Sequence, residues 1–199
     1  MLSAQWRFLR YFLTIFTAIL IPTYWHYYGP QNFLWLSDIG LFLTVVALWF
    51  PTTVLMSIAA VGILFVELLW AVDFFAQILF NVKLTGLSDY MFDNSLSSIL
   101  RAFSLFHLIV PTIWIFYLAQ YGYHRRAVYY FIPFYWLIVL ATYWYTLPEE
   151  NINWVFWPTV HHIQHISPPL WVAILTVIFP LLILLPTHFV LKKLFRSAR

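Results

Sequence analysis

Apolar residues dominate this chain in six long runs, which are separated by short segments containing charged residues, glycine or proline. A helix rises about 1.5 Å per residue, so a run of about 20 apolar residues is long enough to cross the hydrocarbon layer of a bilayer. The chain has no internal repeat and no low-complexity tract. The pattern predicts six helices at about residues 8–25, 33–50, 52–80, 97–120, 126–146 and 169–191.

The composition points to the same class of protein. Of the 199 residues, 63% are hydrophobic and 9% are charged, and the mean hydropathy is +0.84. Soluble globular proteins carry about 25% charged residues, so that class is excluded. Six spans use roughly 120 residues, which leaves too few for a separate soluble domain. We therefore predict an all-α membrane protein, a bundle of six transmembrane helices in one polytopic domain, residues 1–199.

The basic residues predict how the six helices are oriented. Eight of the ten Lys and Arg residues fall on one side of the predicted spans: Arg7, Arg10, Arg125, Arg126, Lys192, Lys193, Arg196 and Arg199. Lys83 and Arg101 fall on the other side. Since cytoplasmic loops are enriched in Lys and Arg, both termini are predicted to be cytoplasmic. The same placement at helix ends argues against nucleic acid as a partner, despite the net charge of +3.

Four ionisable residues stand out inside the predicted helices, where such a group costs about 2.5–3.5 kcal/mol unless it has a partner or a purpose. They are Asp38, Glu67, Asp73 and His107. One interpretation is a structural network, in which Asp38 or Asp73 pairs with Arg101 and His107 is a hydrogen-bonded interior histidine. The other interpretation is a catalytic site facing the side opposite the cytoplasm.

The catalytic interpretation combines a hydroxyl, an imidazole and a carboxylate at matching depth. Ser37 is the candidate nucleophile, and His107 is the general base that takes its proton. Asp38 or Asp73 would hold the imidazole in the correct tautomer. A guanidinium suits the anionic end of a substrate. The candidate substrate-binding residues are Arg101, Glu67, Trp70, Ser104, Asn151 and Asn153.

A histidine cluster offers a different chemistry. His161 and His165 are four residues apart, a spacing that lets both face one metal ion if the segment is helical. The alternative is an interfacial loop whose imidazoles lie among lipid headgroups. The chain has no cysteine, which excludes disulfides, thiolate metal sites and cysteine nucleophiles. The catalytic interpretation requires no cofactor.

Three short motifs resemble the androgen-induced-gene family of six-helix membrane hydrolases, which cleave fatty-acid esters of hydroxy fatty acids. The segment from Trp35 to Leu41 is similar to a family segment that contains the catalytic threonine, and Ser37 matches that threonine. His107, a few residues before Pro111, matches the catalytic histidine. The segment Trp154-Val155-Phe156-Trp157-Pro158 is similar to the family's Trp-Val-Tyr-Pro. The resemblance implies a six-helix bundle with Ser37 and His107 as the catalytic pair.

The whole chain is also similar to a group of uncharacterised bacterial integral membrane proteins, which implies a bacterial inner membrane. We therefore predict a hydrolase or acyltransferase of lipid metabolism that acts on a lipid ester from the outer leaflet. Its expected partners are membrane lipids and a hydrophobic acyl substrate. One alternative is a lipid or small-molecule binding or transport protein that cleaves nothing, and a second is a histidine-ligated metal or haem protein. The oligomeric state stays open.

Overall fold

A computed structural model describes residues 3–158 and 166–198, and this part of the chain is built of α-helices. The helices are α1 (Ala4–Tyr28), α2 (Leu36–Trp49), α3 (Thr53–Phe80), α4 (Ser98–Phe103), α5 (Phe106–Tyr121), α6 (Ala127–Tyr145), α7 (Pro168–Phe179) and α8 (Leu185–Leu194). Short 3₁₀ turns lie in the connections at Pro30–Leu34, Asp89–Phe92 and Ile152–Trp154. No β-strand forms within the described residues, where an isolated bridge joins Tyr123 to Ser197. The predicted all-α class is confirmed.

Five helical stretches of the described chain are long and apolar enough to cross a membrane. They are Ala4–Tyr28, Thr53–Phe80, Ser98–Tyr121, Ala127–Tyr145 and Pro168–Leu194. The sixth apolar helix, α2, has 14 residues and is about 21 Å long at 1.5 Å per residue. The 3₁₀ turn before α2 replaces the first residues that the hydropathy pattern assigned to this helix. These long apolar helices are consistent with an integral membrane protein.

The predicted helix at 97–120 is divided into α4 and α5 at Ser104 and Leu105. The amide N–H of His107 donates to the Ser104 carbonyl at 3.1 Å, a tighter spacing than the α-helical one. Pro111 lies inside α5, where it has no N–H to donate to the carbonyl of His107, four residues earlier. The division places His107 in the first turn of α5.

The last predicted helix is also interrupted, since Pro180–Leu184 forms a π-helical segment between α7 and α8. Pro180 has no N–H for the carbonyl of Thr176. That carbonyl instead accepts a hydrogen bond from Nε1 of Trp136 on α6 at 3.0 Å. A side chain of the neighbouring helix thus satisfies the group that the proline leaves open.

Both chain termini lie at one end of the bundle, which we call the terminal end. The Trp6 indole donates to Oε1 of Gln120 at 2.7 Å, and the N–H of Tyr123 donates to the Arg196 carbonyl at 2.8 Å. Gly122 sits between them with a φ of +90°. A Cβ at this position would lie 2.9 Å from the Arg196 carbonyl oxygen, so only glycine permits this close approach.

The longer connections lie at the opposite end, which we call the long-loop end. Residues 81–97 join α3 to α4 there, and residues 146–158 follow α6. Nε2 of Gln31 donates to Oε1 of Glu150 at 2.6 Å, which ties the α1–α2 connection to the segment after α6. These contacts fix the loops above the start of α2, where the candidate site begins.

Helix α3 is the centre of the bundle and packs against α2, α5 and α6. Next to it, the buried Trp114 indole of α5 donates to Oγ1 of Thr44 on α2 at 2.7 Å. The Thr44 hydroxyl in turn donates to the Gly40 carbonyl at 2.7 Å. Because three helices cover the inner face of α3, the polar side chains on that face are buried in protein.

Candidate functional site

The site is built around a contact between α3 and α5. Nδ1 of His107 lies 2.7 Å from Oε2 of Glu67, and the side chains are 14% and 3% exposed respectively. With Glu67 ionised, Nδ1 carries the proton that the carboxylate accepts, and Nε2 is left as the basic nitrogen. A carboxylate that fixes the tautomer of a histidine in this way is the arrangement that general-base catalysis uses.

Aromatic rings hold the imidazole in place. The ring centroid of Trp70 lies 4.7 Å from that of His107 with an interplanar angle of 19°, and the ring of Phe106 lies 4.3 Å away at 21°. Stacked rings restrict the rotation of the imidazole and reduce its access to water. Trp70 lies one helical turn after Glu67 on α3, so one face of α3 supplies both the carboxylate and the stacking ring.

Three hydroxyl groups lie on the same side of the bundle. The Tyr24 and Ser104 hydroxyl oxygens are 3.3 Å apart. The Tyr90 hydroxyl accepts a hydrogen bond from Nε1 of Trp70 at 3.2 Å and also interacts with Ser104. Burial raises the pKa of Tyr90 above its ordinary value, so this hydroxyl keeps its proton at neutral pH. Together they form a polar lining between α1, α4 and the loop after α3.

Asp38 completes the cluster from the first turn of α2. Its side chain is 2% exposed, and Oδ2 accepts a hydrogen bond from Nδ2 of Asn32 at 3.1 Å. The other oxygen, Oδ1, has no hydrogen-bond partner in the described structure. The carboxylate interacts electrostatically with Glu67, Tyr24 and Tyr90. A buried carboxylate oxygen without a hydrogen-bond partner costs free energy. A ligand that donates a hydrogen bond to this oxygen recovers that free energy on binding.

His107 contacts Glu67, whereas the sequence predicts Asp38 or Asp73 as its partner. Oδ1 of Asp73 accepts from the amides of Leu84, Thr85 and Gly86, and Oδ2 accepts from the amide and hydroxyl of Ser88. Asp73 thus closes the loop after α3. Its two oxygens are occupied by these groups, and the carboxylate in contact with His107 is that of Glu67.

Ser37, the predicted nucleophile, is half-buried in the first turn of α2. Its hydroxyl makes no hydrogen bond within the described part of the chain, and none of the contacts of His107 involves it. Consecutive helical residues point about 100° apart, so the side chain of Ser37 does not point in the same direction as that of Asp38. The structure brings Glu67, Trp70, Ser104 and His107 together but does not bring Ser37 into contact with them.

Arg101 lies one helical turn before Ser104 on α4. Its Nη1 donates to the Met91 carbonyl at 3.1 Å, and its Nε is buried without a partner. Across residues 3–158 and 166–198, no carboxylate lies within ion-pair distance of this guanidinium. The expected salt bridge to Asp73 is absent from this part of the structure, so Arg101 keeps donors available for an anion.

The two asparagines that are predicted to bind a substrate make hydrogen bonds at the long-loop end. Asn153 accepts from the amide of Leu36 at 3.0 Å and donates to the Leu34 carbonyl at 2.7 Å, which fixes the start of α2. Oδ1 of Asn151 accepts from the amide of Phe156 at 3.0 Å. Both residues have positive φ, a conformation that asparagine tolerates well.

The candidate metal ligands His161 and His165 lie outside the described residues. Within the described ranges, no group of three or more His, Cys, Asp or Glu side chains is arranged to hold a metal ion. The cluster around His107 also contains Tyr24 and Tyr90, which were not among the predicted site residues. Tyr24 stands in an aromatic stretch at the end of α1, and Tyr90 reaches the site through a loop fold that helical periodicity does not encode.

Comparisons of the chain with protein-family models, curated proteins and solved structures found no match. The resemblance to the androgen-induced-gene family stays a prediction from the short motifs around Ser37, His107 and Pro158.

Proposed function

We propose that the protein is an integral-membrane hydrolase or acyltransferase that acts on a lipid ester, with His107 as its general base. The observation that supports this most directly is the buried 2.7 Å contact between His107 and Glu67. A structural histidine needs a hydrogen-bond partner but has no need of a carboxylate, two stacked rings and adjacent hydroxyls inside a membrane bundle. This combination is suited to moving a proton.

In the proposed reaction, Ser37 attacks the ester carbonyl, and its proton passes to Nε2 of His107. Glu67 stabilises the imidazolium that forms. Collapse of the tetrahedral intermediate breaks the ester bond, and the imidazolium returns the proton to the departing alcohol. Attack by water on the acyl-serine gives hydrolysis, and attack by a second alcohol gives acyl transfer. Ser37 must approach His107 when the substrate binds, because the two are not in contact in this structure.

The anionic end of the substrate is assigned to Arg101, whose guanidinium has no carboxylate partner among the described residues. An open apolar groove of about 530 Å³ runs along the outward face of α3 and is closed at one side by Val82 and Leu84. This groove suits an acyl chain that enters from the lipid. Asp73 positions the loop beside it.

The proposal includes a topology in which α2 is the sixth span and both termini are cytoplasmic. The terminal end carries most of the basic residues, which favours its cytoplasmic placement. The long-loop end and the site then face the opposite side of a bacterial inner membrane. A reporter fusion at the C-terminus tests the orientation, and a C-terminal reporter active only outside the cytoplasm would overturn it.

The second candidate function is a lipid or small-molecule binding protein that cleaves nothing. The observation that favours it is the absence of a Ser37 contact to His107 in the described structure. On this hypothesis the polar groups around His107 hold a ligand, and no side chain of the site acts as a nucleophile.

Labelling with a lipophilic fluorophosphonate tests the nucleophile. The detergent-purified protein is expected to gain one adduct by intact mass, and peptide mapping is expected to place it on Ser37. Ser37→Ala should abolish the adduct, and the exposed Ser98→Ala should retain it. An adduct that maps to Ser104 or persists in Ser37→Ala would overturn the assignment of Ser37, and no adduct on folded protein would favour the binding function.

A further inference from the structure

The unpartnered oxygen of Asp38 points to a ligand that supplies a positive charge. Oδ1 of this carboxylate is buried and has no partner in the described structure, although Oδ2 is held by Asn32. Proteins rarely leave a buried carboxylate oxygen unsatisfied, because its desolvation is not compensated. The position is also inside the bundle, where the low dielectric makes an unpaired charge more costly.

The charges of the cluster do not balance. Glu67 is paired with His107, which supplies at most one positive charge. In the described part of the chain, no Lys or Arg nitrogen lies within ion-pair distance of Asp38. Asp38 and Glu67 interact with each other, so each carboxylate makes the other more unfavourable. The charge of Asp38 is therefore left for a proton or a bound cation to compensate.

The groups around Asp38 are those that an organic ammonium prefers. The carboxylate interacts electrostatically with the hydroxyl groups of Tyr24 and Tyr90, and the Ser104 hydroxyl interacts with both of these groups. An –NH₃⁺ group has three protons to donate and no acceptor. Tyrosine and tryptophan rings such as Trp70 also attract cations through their faces. Within the described ranges no three-ligand metal group exists, so a metal ion fits this chemistry less well.

We propose that Asp38, with the hydroxyls of Tyr24, Tyr90 and Ser104, binds the cationic amine of an amphiphilic ligand. The ligand class is an aliphatic chain that carries a primary ammonium group, such as an amine-bearing lipid. This inference is independent of ester cleavage, because the amine site serves a carrier as well as an enzyme. A proton on Asp38 or an inorganic cation is the competing occupant that the experiment must separate.

The probe is dodecylamine, with dodecanol as the matched neutral compound, added to the full-length protein in a neutral detergent. Saturating dodecylamine is expected to raise the melting temperature by about 3 °C or more relative to dodecanol. An equal shift with both compounds would show chain binding alone and would overturn the proposal. No shift with dodecylamine would show that a proton compensates Asp38, and a shift with sodium chloride alone would show an inorganic cation site.

The variants assign the effect to Asp38. Asp38→Asn keeps the shape of the side chain but removes its charge, and it is expected to abolish the dodecylamine shift. The exposed Asp93→Asn is the matched control and is expected to keep it. Tyr24→Phe removes one acceptor and should weaken amine affinity by about tenfold, which provides a second test if Asp38→Asn does not fold. Retention of the full shift in Asp38→Asn, or of full affinity in Tyr24→Phe, would overturn the proposal.

The same titration on Ser37→Ala distinguishes this inference from the proposed function. Ser37→Ala is expected to lose the fluorophosphonate adduct and keep the dodecylamine shift. Loss of the dodecylamine shift in Ser37→Ala would overturn the assignment of the amine to Asp38. If the wild-type protein shows the dodecylamine shift but gains no fluorophosphonate adduct, the proposal of an amine site stands and the proposal of a hydrolase is overturned.

Discussion

Gly62 of α3 faces the ring of Phe131 of α6 so closely that a Cβ on residue 62 would overlap the ring. Phe131 is fully buried, so its ring has little freedom to move aside. Gly62→Ala is therefore expected to destabilise the fold by about 1–3 kcal/mol through overpacking, although alanine has the higher helix propensity. Thermal unfolding of the purified protein measures the effect.

The matched control removes the Phe131 ring. In a Phe131→Leu background the ring is gone, so Gly62→Ala should cost much less than it does in the wild-type protein. Equal costs in both backgrounds would show that the contact with Phe131 does not determine the need for glycine.

Asp73 accepts hydrogen bonds from both ends of a short loop segment, at Leu84 and at Ser88. Asp73→Asn replaces one accepting oxygen with an amide donor, so part of this network is lost. We expect a decrease of about 2–4 kcal/mol in the free energy of unfolding and faster amide exchange in residues 84–88. Asp93→Asn in the same connection should leave both quantities unchanged, and the same exchange rates in both variants would contradict the role given to Asp73.

The Glu67 carboxylate is expected to stabilise the fold as well as to orient His107. Glu67→Ala leaves the imidazole nitrogen without its buried partner, which should cost about 1.5–3 kcal/mol. Glu67→Gln keeps a hydrogen-bond acceptor and should cost less. Differential scanning fluorimetry of the two variants checks the order, and a Gln variant less stable than the Ala variant would contradict it.

At the terminal end, the buried Tyr123 hydroxyl lies 2.8 Å from Nδ1 of His188. Tyr123→Phe leaves that nitrogen unsatisfied and is expected to lower the free energy of unfolding by about 1–3 kcal/mol. Tyr129→Phe serves as the control because Tyr129 is exposed and its hydroxyl makes no described hydrogen bond. Equal stability of the two variants would show that the Tyr123 contact contributes nothing.

Hydropathy alone predicted where the helices lie, because a run of apolar residues long enough to cross a bilayer is typical of a membrane-spanning helix. It did not predict the division at Ser104 or the π-helical segment that begins at Pro180. The π-helical segment depends on the carbonyl that Pro180 leaves open and on the neighbour that satisfies it, as Trp136 does for Thr176. Such partners come from another helix, so a single helical pattern cannot show them.

The site was predicted in part. Glu67 and Trp70 are three residues apart, as are Ser104 and His107, a spacing that puts each pair on one side of a helix. The structure brings His107 into contact with Glu67 and Trp70. Spacing within one helix does not determine the depth at which two helices meet, so it did not distinguish Glu67 from Asp73 as the partner of His107. The role of Asp73 depends on the loop that follows α3, whose fold has no periodic signal.

The central claim is that His107, held by Glu67, activates a nucleophile, and the rate of fluorophosphonate labelling tests it without knowledge of the substrate. We predict that His107→Ala abolishes labelling, that Glu67→Gln slows it by at least about tenfold through loss of the charge that stabilises the imidazolium, and that the exposed His26→Ala labels like the wild type. Labelling of folded His107→Ala at the wild-type rate would contradict the claim.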